Sequence, residues 1–473
     1  EGGEAGEAGE AGGRAYRHVC ATLPHHHAKQ RSQKQLPVVT SQEISTMTDL
    51  SPNGATPTRD TLQRRFADFE TLGDALDYAA TGTRGMNFHD ARGTLTRAYP
   101  YATLREDSLA HARRFITLGL APGDRVALVA ETGAEFAACF FGAVYAGLWP
   151  VPLPLPTSFG GREAYVAQLL VMLESSDPQL FLYPPELADF SLVAAAQQKV
   201  VARDWDSLAA IEQSTADLPT NIETSIAYLQ YSSGSTRFPH GVAVTHRALL
   251  DNLHAHGVGV EVAETDRVVS WLPWYHDMGL VGCMLSPVAN QLSADYLKTE
   301  DFARRPLAWL DLVSRNPGTT LSYSPTFGYD ICARRLSSIT KVEDRFDLSR
   351  WRIAGNGADM IRPDVMQAFV DSFAAALGNE LKDTGVTVTC LKPGATETEF
   401  FTRADMDDTK VGQSKKADAS DVAKLGWNAM KQGDHVATHG LMNKVQVLAA
   451  GILPESFSAQ QGRKVNEPGS GVT

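Results

Sequence analysis

Residues 228–242, YLQYSSGSTRFPHGV, decide how the rest of the chain is interpreted. An apolar strand leads into five consecutive small residues, followed by a proline, a glycine and a second strand at residues 242–246. Small residues let a backbone approach an anion closely, and successive N–H groups and hydroxyls can donate hydrogen bonds to phosphate oxygens. A flexible Ser/Gly hairpin has the same composition, so a phosphate loop and a plain hairpin both remain open. The pattern GxxxxGK[ST] is absent, which excludes a P-loop NTPase.

The segments on either side of this loop alternate between helix and strand patterns up to about residue 376. Residues 104–118 place apolar side chains on one helical face, and a Pro-Gly turn separates them from an apolar strand at 126–130. The alternation predicts an α/β fold with largely parallel sheets flanked by helices.

Residues 136–159 contain no charged side chain, which is long enough to suggest a membrane span. Prolines at positions 150, 152, 154 and 156 oppose that interpretation, because each removes a backbone hydrogen-bond donor. A buried helix at about 134–146 followed by an extended Pro-rich strand explains the stretch better, and we predict no membrane span.

The overall composition is that of a soluble protein of 473 residues, with 55 acidic and 43 basic side chains and a net charge of −12. This acidic balance argues against a nucleic-acid partner, because such proteins neutralise phosphates with basic side chains. The five cysteines are dispersed, without a CxxC pair, which is typical of reduced thiols in a cytoplasmic protein. We therefore expect a cytoplasmic location and no metal held by the cysteines.

The first 64 residues form a separate region of low complexity. They open with repeats of Glu, Ala and Gly and contain little that could be buried, so we expect residues 1–64 to be disordered. Met47 is a candidate for the natural start, and residues 1–46 would then be upstream sequence without function.

Several motifs, in the expected order, resemble those of the adenylate-forming ligases, over roughly residues 65–376. The loop at 228–242 and LGLAPGDRVALV at 118–129 resemble the superfamily in general. GLWPVPLP at 147–154, GGREAY from residue 160 and WLPWYHDMGL at 271–280 resemble, more narrowly, the fatty acyl-AMP ligases. SRWRIAGNGAD at 349–359 is similar to that family's loop beside the adenine.

This resemblance implies the partial large domain of a ligase that joins a fatty acid to ATP and releases pyrophosphate. It implies that Ser232, Ser233, Gly234, Ser235 and Thr236 bind the ATP phosphates, that His276 is catalytic, and that Asn356, Gly357 and Ala358 bind adenine. It also implies Mg²⁺ as a cofactor, a fatty acid as substrate and an acyl carrier protein as acceptor in the parent enzyme.

The same residues allow simpler interpretations, and some depart from the family pattern. Without the resemblance, His276 could satisfy a neighbouring carbonyl, and Asn-Gly is a common turn pair. Arg237 stands where the family has Gly, His240 where it has Lys, and Asp359 where it usually has Glu.

From about residue 377 the chain resembles a different family. Residues 379–401, followed by a helix expected at 419–430, resemble the last third of a short-chain dehydrogenase, so 377–473 would be an incomplete Rossmann-like piece. The ligase's magnesium-binding acid, ribose-binding aspartate and catalytic lysine do not appear. Pro363 and Gln367 occupy the positions of the dehydrogenase's catalytic tyrosine and lysine.

These observations predict a chimera whose ligase part is truncated and only weakly active. Two alternatives are a remnant of an NAD(P)-dependent oxidoreductase and a non-catalytic binder of nucleotide or acyl chains.

Overall fold

The computed structural model describes residues 62–156, 161–231, 241–339 and 345–358. It also describes residues 342, 362, 364–366, 368–370, 390–392, 396, 409, 413–414, 416–432, 436–438 and 440. All of these belong to one compact unit, Arg59–Thr473. The disorder expected for residues 1–64 therefore lies outside the described residues, except at positions 62–64.

The strands of the described chain are short and mostly separated by helices. They are β1 (Gly85–His89), β2 (Leu95–Pro100), β3 (Arg125–Val129), β4 (Trp149–Leu153), β5 (Leu180–Tyr183), β6 (Val201–Asp204), β7 (Ile226–Tyr231), β8 (Gly241–Thr245), β9 (Asp266–Ser270), β10 (Ser293–Leu297), β11 (Thr319–Ser324), β12 (Trp351–Asn356), β13 (Cys390–Lys392) and β14 (Val436–Thr438).

The helices are α1 (Leu72–Ala79), α2 (Tyr101–Thr117), α3 (Ala134–Tyr145), α4 (Gly161–Ser176), α5 (Ala188–Gln198), α6 (Trp205–Ala209), α7 (His246–Gly259), α8 (Asp277–Gly279), α9 (Ser286–Ala289), α10 (Thr299–Arg304), α11 (Leu307–Arg315), α12 (Thr326–Leu336) and α13 (Ala419–Gln432). A π-helical segment, Leu280–Leu285, joins α8 to α9, and a single 3-10 turn, Pro185–Leu187, precedes α5.

Two sheets organise the described chain, and both are parallel apart from one edge strand of the larger sheet. The six-stranded sheet has the order β12-β11-β9-β10-β1-β2, in which only β2 runs antiparallel to its neighbour. The four-stranded sheet, β4-β3-β5-β6, is parallel throughout. The predicted α/β architecture with parallel sheets is confirmed.

The charge-free stretch forms a buried helix and a strand, as its prolines indicated. All ten residues from 134 to 144 other than Glu135 are buried in α3, and the Pro-rich strand β4 pairs with β3 in the sheet. Phe136, Phe140 and Phe141 are among the largest fully buried side chains. None of the helices in the described part of the chain is long and apolar enough to cross a membrane.

The C-terminal region forms a small parallel unit. β13 pairs with β14, and α13 lies between them in the sequence, at the position expected for a helix. Two three-residue strands and one helix do not establish a Rossmann fold, so that part of the predicted fold class is not confirmed. Residues 379–389 lie outside the description.

Candidate functional site

The carboxyl ends of three neighbouring strands bring the predicted site segments together. β9, β11 and β12 are adjacent and parallel, so they end at the same edge of the six-stranded sheet. The loop that carries His276 follows β9. Asn356 is the last residue of β12, and Gly357 and Ala358 come directly after it. Ligands of open parallel sheets bind beyond the carboxyl ends of the strands. The fold therefore places His276 and Asn356 at the edge where a ligand is expected.

His276 is held by the residue that follows it. Its Nδ1 lies 2.7 Å from Asp277 Oδ1, and the backbone N–H of Met278 donates to the same oxygen at 2.7 Å. The N–H of Met278 is farther from His276 Nδ1, at 3.2 Å. We therefore assign the Nδ1 proton to the bond with Asp277, whose pKa this hydrogen bond from His276 lowers.

This assignment leaves Nε2 of His276 as the working atom. No described residue forms a hydrogen bond with Nε2, and 28% of the side chain is exposed. With Nδ1 protonated, Nε2 accepts a hydrogen bond when the ring is neutral and donates one when the ring is charged. In its charged form the ring can therefore donate a hydrogen bond from Nε2 to negative charge on a bound ligand.

The loop around His276 is held in place by contacts of the residues before and after it. The Gln230 side-chain amide donates to the carbonyl of Tyr275 at 3.0 Å, which ties the end of β7 to this loop. Trp274 is fully buried and packs edge-on against Tyr296, with ring centroids 5.0 Å apart. A Cβ atom at Gly279 would lie 2.1 Å from the carbonyl oxygen of Pro273, so only glycine fits there.

Gln230 is a site residue that the sequence analysis missed. It is a polar residue on an otherwise apolar strand, directly before Tyr231 and the small-residue run, and this placement was the available signal. Its Oε1 is buried and has no hydrogen-bond partner in the described structure. A buried unpaired acceptor is costly, so a donor from a ligand or from the neighbouring loop would be stabilising there.

The predicted phosphate-binding residues, Ser232 to Thr236, lie outside the described residues, as do Arg237, His240 and Asp359. Their flanks are described: β7 and β8 form an antiparallel pair in which Tyr231 is opposite Gly241. The Tyr231 hydroxyl donates to Ser175 Oγ at 3.0 Å. The two predicted strands are thus confirmed, whereas the phosphate contacts between them stay a prediction.

The predicted adenine loop contains a second unsatisfied group. Asn356 Oδ1 accepts from the Thr326 hydroxyl at 3.3 Å, whereas its buried Nδ2 has no hydrogen-bond partner in the described part of the chain. The N–H of Gly357 points to the carbonyl of Ser324 at 3.4 Å, and Ala358 is exposed with φ +69°. The unpaired Nδ2 amide group of Asn356 is therefore a suitable hydrogen-bond donor for a ring nitrogen of a ligand at this edge.

The described residues contain no cluster of metal-binding side chains. Within the described ranges, no group of three or more His, Cys, Asp or Glu side chains is arranged to hold one. Asp277, the acid nearest to His276 in sequence, is engaged by the ring. Mg²⁺ is usually held by one or two carboxylates together with substrate phosphates, so its binding stays an implication of the resemblance.

Comparison with known proteins identifies relatives of the same kind. The model of the AMP-binding enzyme family matches residues 84–412, which continues past the predicted boundary at 376. A putative acyl-CoA synthetase of Caulobacter vibrioides is 47% identical over 323 residues, covering 68% of this chain and 56% of that protein. Long-chain-fatty-acid–AMP ligase FadD32 of Mycolicibacterium smegmatis is 33% identical over 315 residues, covering 64% and 47% respectively.

A solved structure of the same kind of protein is similar to this chain in fold and in sequence. It comes from structural and functional studies of fatty acyl-adenylate ligases from E. coli and L. pneumophila. Its TM-score is 0.63 at 44% identity, covering 66% of this chain and 56% of that one. The chain thus spans about half the length of the relatives it matches. With 84–412 matched and its site segments at one sheet edge, the chain belongs to the AMP-binding enzyme family.

Proposed function

We propose that this chain activates a fatty carboxylate by forming an acyl-adenylate from ATP. The observation that carries the proposal is the meeting of three segments at one edge of the six-stranded sheet. The loop of His276 and the loop of Asn356 share that edge, and the bond from Gln230 to Tyr275 ties the β7–β8 hairpin to it. The names of relatives that act as fatty-acid–AMP ligases support the substrate class.

In the proposed reaction a carboxylate oxygen attacks the α-phosphorus of ATP, and the bond to the departing pyrophosphate breaks. His276 Nε2, in the protonated ring, donates a hydrogen bond to the charge that develops on the α-phosphate, while Asp277 keeps Nδ1–H oriented. Ser232 to Thr236 would bind the outer phosphates, and Asn356, Gly357 and Ala358 the adenine. No step is assigned to Mg²⁺, which stays an implication of the resemblance.

The binding half of the proposal is tested with an acyl-sulfamoyl-adenosine, a stable mimic of an acyl-adenylate. We expect it to raise the melting temperature of the full chain, and we expect Asn356→Ala to reduce this shift. Asn252→Ala, at an exposed position of α7, is the matched control and should behave like wild type. A chain that the mimic does not stabilise would contradict the proposal.

The catalytic half is tested by fatty-acid-dependent exchange of labelled pyrophosphate into ATP. We expect the exchange rate of a Ser233→Ala/His276→Ala double variant to be at least tenfold lower than that of the wild type. Such a difference supports adenylation. Asn252→Ala, at the exposed α7 position used above, is again the control. Exchange equal to that of the double variant would limit the chain to binding, as the sequence-based expectation of weak activity predicts.

The acceptor and the C-terminal region belong to the same proposal. An acyl carrier protein is the acceptor that the fatty acyl-AMP ligase resemblance implies, and transfer of a labelled acyl group to a carrier protein tests it.

The parallel β13–α13–β14 unit supports a Rossmann-like origin for 377–473, which NADH titration tests. An oxidoreductase function is not favoured, because Pro363 and Gln367 cannot transfer the protons that this chemistry needs.

A further inference from the structure

A cleft of about 510 Å³ lies away from the segments described above. Its walls come from the turn between β1 and β2, the junction of α10 with α11, the end of α12 and the segment before β12. We call it the arginine cleft. It is lined by Ala91, Arg92, Arg304, Arg305, Pro306, Leu307, Ala308, Asp311, Arg335 and Arg345.

The charge in the arginine cleft is strongly unbalanced. Five arginines line it against one acid, Asp311. Asp311 is paired with Arg345 at 3.2 Å, and Arg304 has a longer pair with Asp301 at 3.5 Å. Arg92, Arg305 and Arg335 form no ion pair with any described residue. Positive charge is thus concentrated at one place on a chain whose net charge is −12.

The form of the cleft suits a small ligand. Pro306 and Ala308 are buried and Leu307 is half-buried, whereas Arg92, Arg305 and Arg335 are exposed, so a basic rim surrounds an apolar base. A volume of about 510 Å³ falls within the usual range of small-molecule sites. α11 also begins here without an acidic residue in its first turn, so its positive end faces no internal counter-charge on that turn.

We propose that the arginine cleft binds a small soluble anion with two linked phosphates. Guanidinium groups match phosphate oxygens with paired hydrogen bonds, and three arginines without ion-pair partners suit several negative charges better than a single carboxylate. None of the lining residues belongs to the candidate site, so this proposal stands apart from the proposed function. The shared chemistry is a diphosphate, present either as free pyrophosphate or within a nucleoside diphosphate.

The test follows amide hydrogen exchange of the full chain with inorganic pyrophosphate as the probe. We expect protection in peptides that cover residues 304–311 and 92, at concentrations that titrate to saturation. Because pyrophosphate is also the product of the proposed reaction, it could bind beside the β7–β8 hairpin, and the position of the protection separates the two sites. Protection confined to residues 226–245 would overturn the proposal.

A matched pair of variants on α12 isolates the charge. Arg335→Gln removes a lining arginine and should weaken binding about tenfold, as expected for loss of one charge-assisted contact. Arg334→Gln removes the preceding arginine, which is exposed, pairs with Asp330 and does not line the cleft. It should bind like wild type. Equal affinity for Arg335→Gln and wild type would overturn the proposal, and Arg305→Gln repeats the test on a second wall.

Two further probes identify the source of the diphosphate. Adenosine diphosphate that binds more tightly than pyrophosphate at 304–311 indicates a nucleotide seated on the apolar base, whereas equal affinity indicates free pyrophosphate. Binding should weaken as ionic strength rises from about 0.05 to about 0.5 M, since exposed charges are screened. Protection at 304–311 by poly-glutamate but not by pyrophosphate would overturn the proposal in favour of an acidic protein partner.

Discussion

The described chain contains two regions of parallel sheet that differ in how they are supported. In the first, residues 62–358, two sheets enclose a large core, and α3 is buried nearly all round. In the second, β13, α13 and β14 form one pair of three-residue strands and one helix. Parallel strands are normally covered on both faces, which two short strands and a helix cannot achieve without help from neighbours.

The second region obtains part of that help from the first. Lys431 on α13 pairs with Glu261 just after α7, at 2.6 Å, and a Cβ atom at Gly259 would lie 3.8 Å from the ring of Trp427. The first region therefore has a large core of its own, whereas the contacts of α13 with the end of α7 are few and exposed. The predictions below test this difference, from the largest expected effect to the smallest.

Removing a core aromatic of α3 should have the largest effect. Phe140 is fully buried between Phe136, Phe141 and Tyr228, so Phe140→Ala leaves a cavity. We expect the free energy of unfolding to fall by about 3–5 kcal/mol, measured by urea denaturation. Leu192→Ala, at a half-exposed position, is the control and should change it by less than about 0.5 kcal/mol. Similar losses in the two variants would contradict the proposed core.

A methyl group at Gly279 should disturb both stability and the candidate site. The new Cβ would lie 2.1 Å from the Pro273 carbonyl, a backbone atom that cannot rotate away. We expect Gly279→Ala to lower the free energy of unfolding by about 3 kcal/mol and to weaken binding of the acyl-adenylate mimic. Gly282→Ala, three residues later with open space around its Cβ, should leave both unchanged. Equal behaviour of the two variants would show that the loop is not tightly held.

Acid should destabilise the first region through its buried histidines. Burial lowers the pKa of His246 and of His111 to about 4 from 6.5, and His246 Nδ1 accepts the backbone N–H of Leu72 at 3.1 Å. The unfolded chain therefore takes up protons first, so stability is complete above pH 6.5 and falls as the pH decreases towards 4. Each histidine should contribute a loss of about 2 kcal/mol at pH 5.

The measurement is the free energy of unfolding as a function of pH. His246→Asn keeps an acceptor near the Leu72 N–H but cannot titrate, so it should flatten the acid limb. An unchanged slope in this variant would show that His246 is not buried in its neutral form.

A smaller side chain at Val422 on the C-terminal helix α13 should have the smallest effect. Val422 on α13 is buried, as is Val269 on β9. We expect Val269→Ala to lower the free energy of global unfolding by about 2 kcal/mol. Val422→Ala should leave that free energy unchanged and lower the free energy of local opening of α13 by about 1 kcal/mol. Amide exchange of residues 419–432 distinguishes these outcomes. A global loss for Val422→Ala would show that the two regions unfold together.

Local patterns predicted the elements that surround the site. The prolines at 150 and 152 indicated that a strand, β4, follows the buried helix α3. The two strands predicted beside the small-residue run are β7 and β8. These predictions succeeded because proline geometry and apolar periodicity act within a few residues. The helix α13 was also expected, at 419–430, although the resemblance of this region to a dehydrogenase is not established.

Contacts between distant residues had no such local signal. Gln230 meets Tyr275 across 45 positions, and the arginine cleft collects side chains from residues 92 to 345. The resemblance pointed to His276 and Asn356, but not to their shared edge or to the hydrogen bond that Asp277 accepts from the ring. Those features depend on strand order and on which polar atoms burial leaves unpaired, and both arise only when segments far apart in the chain pack against each other.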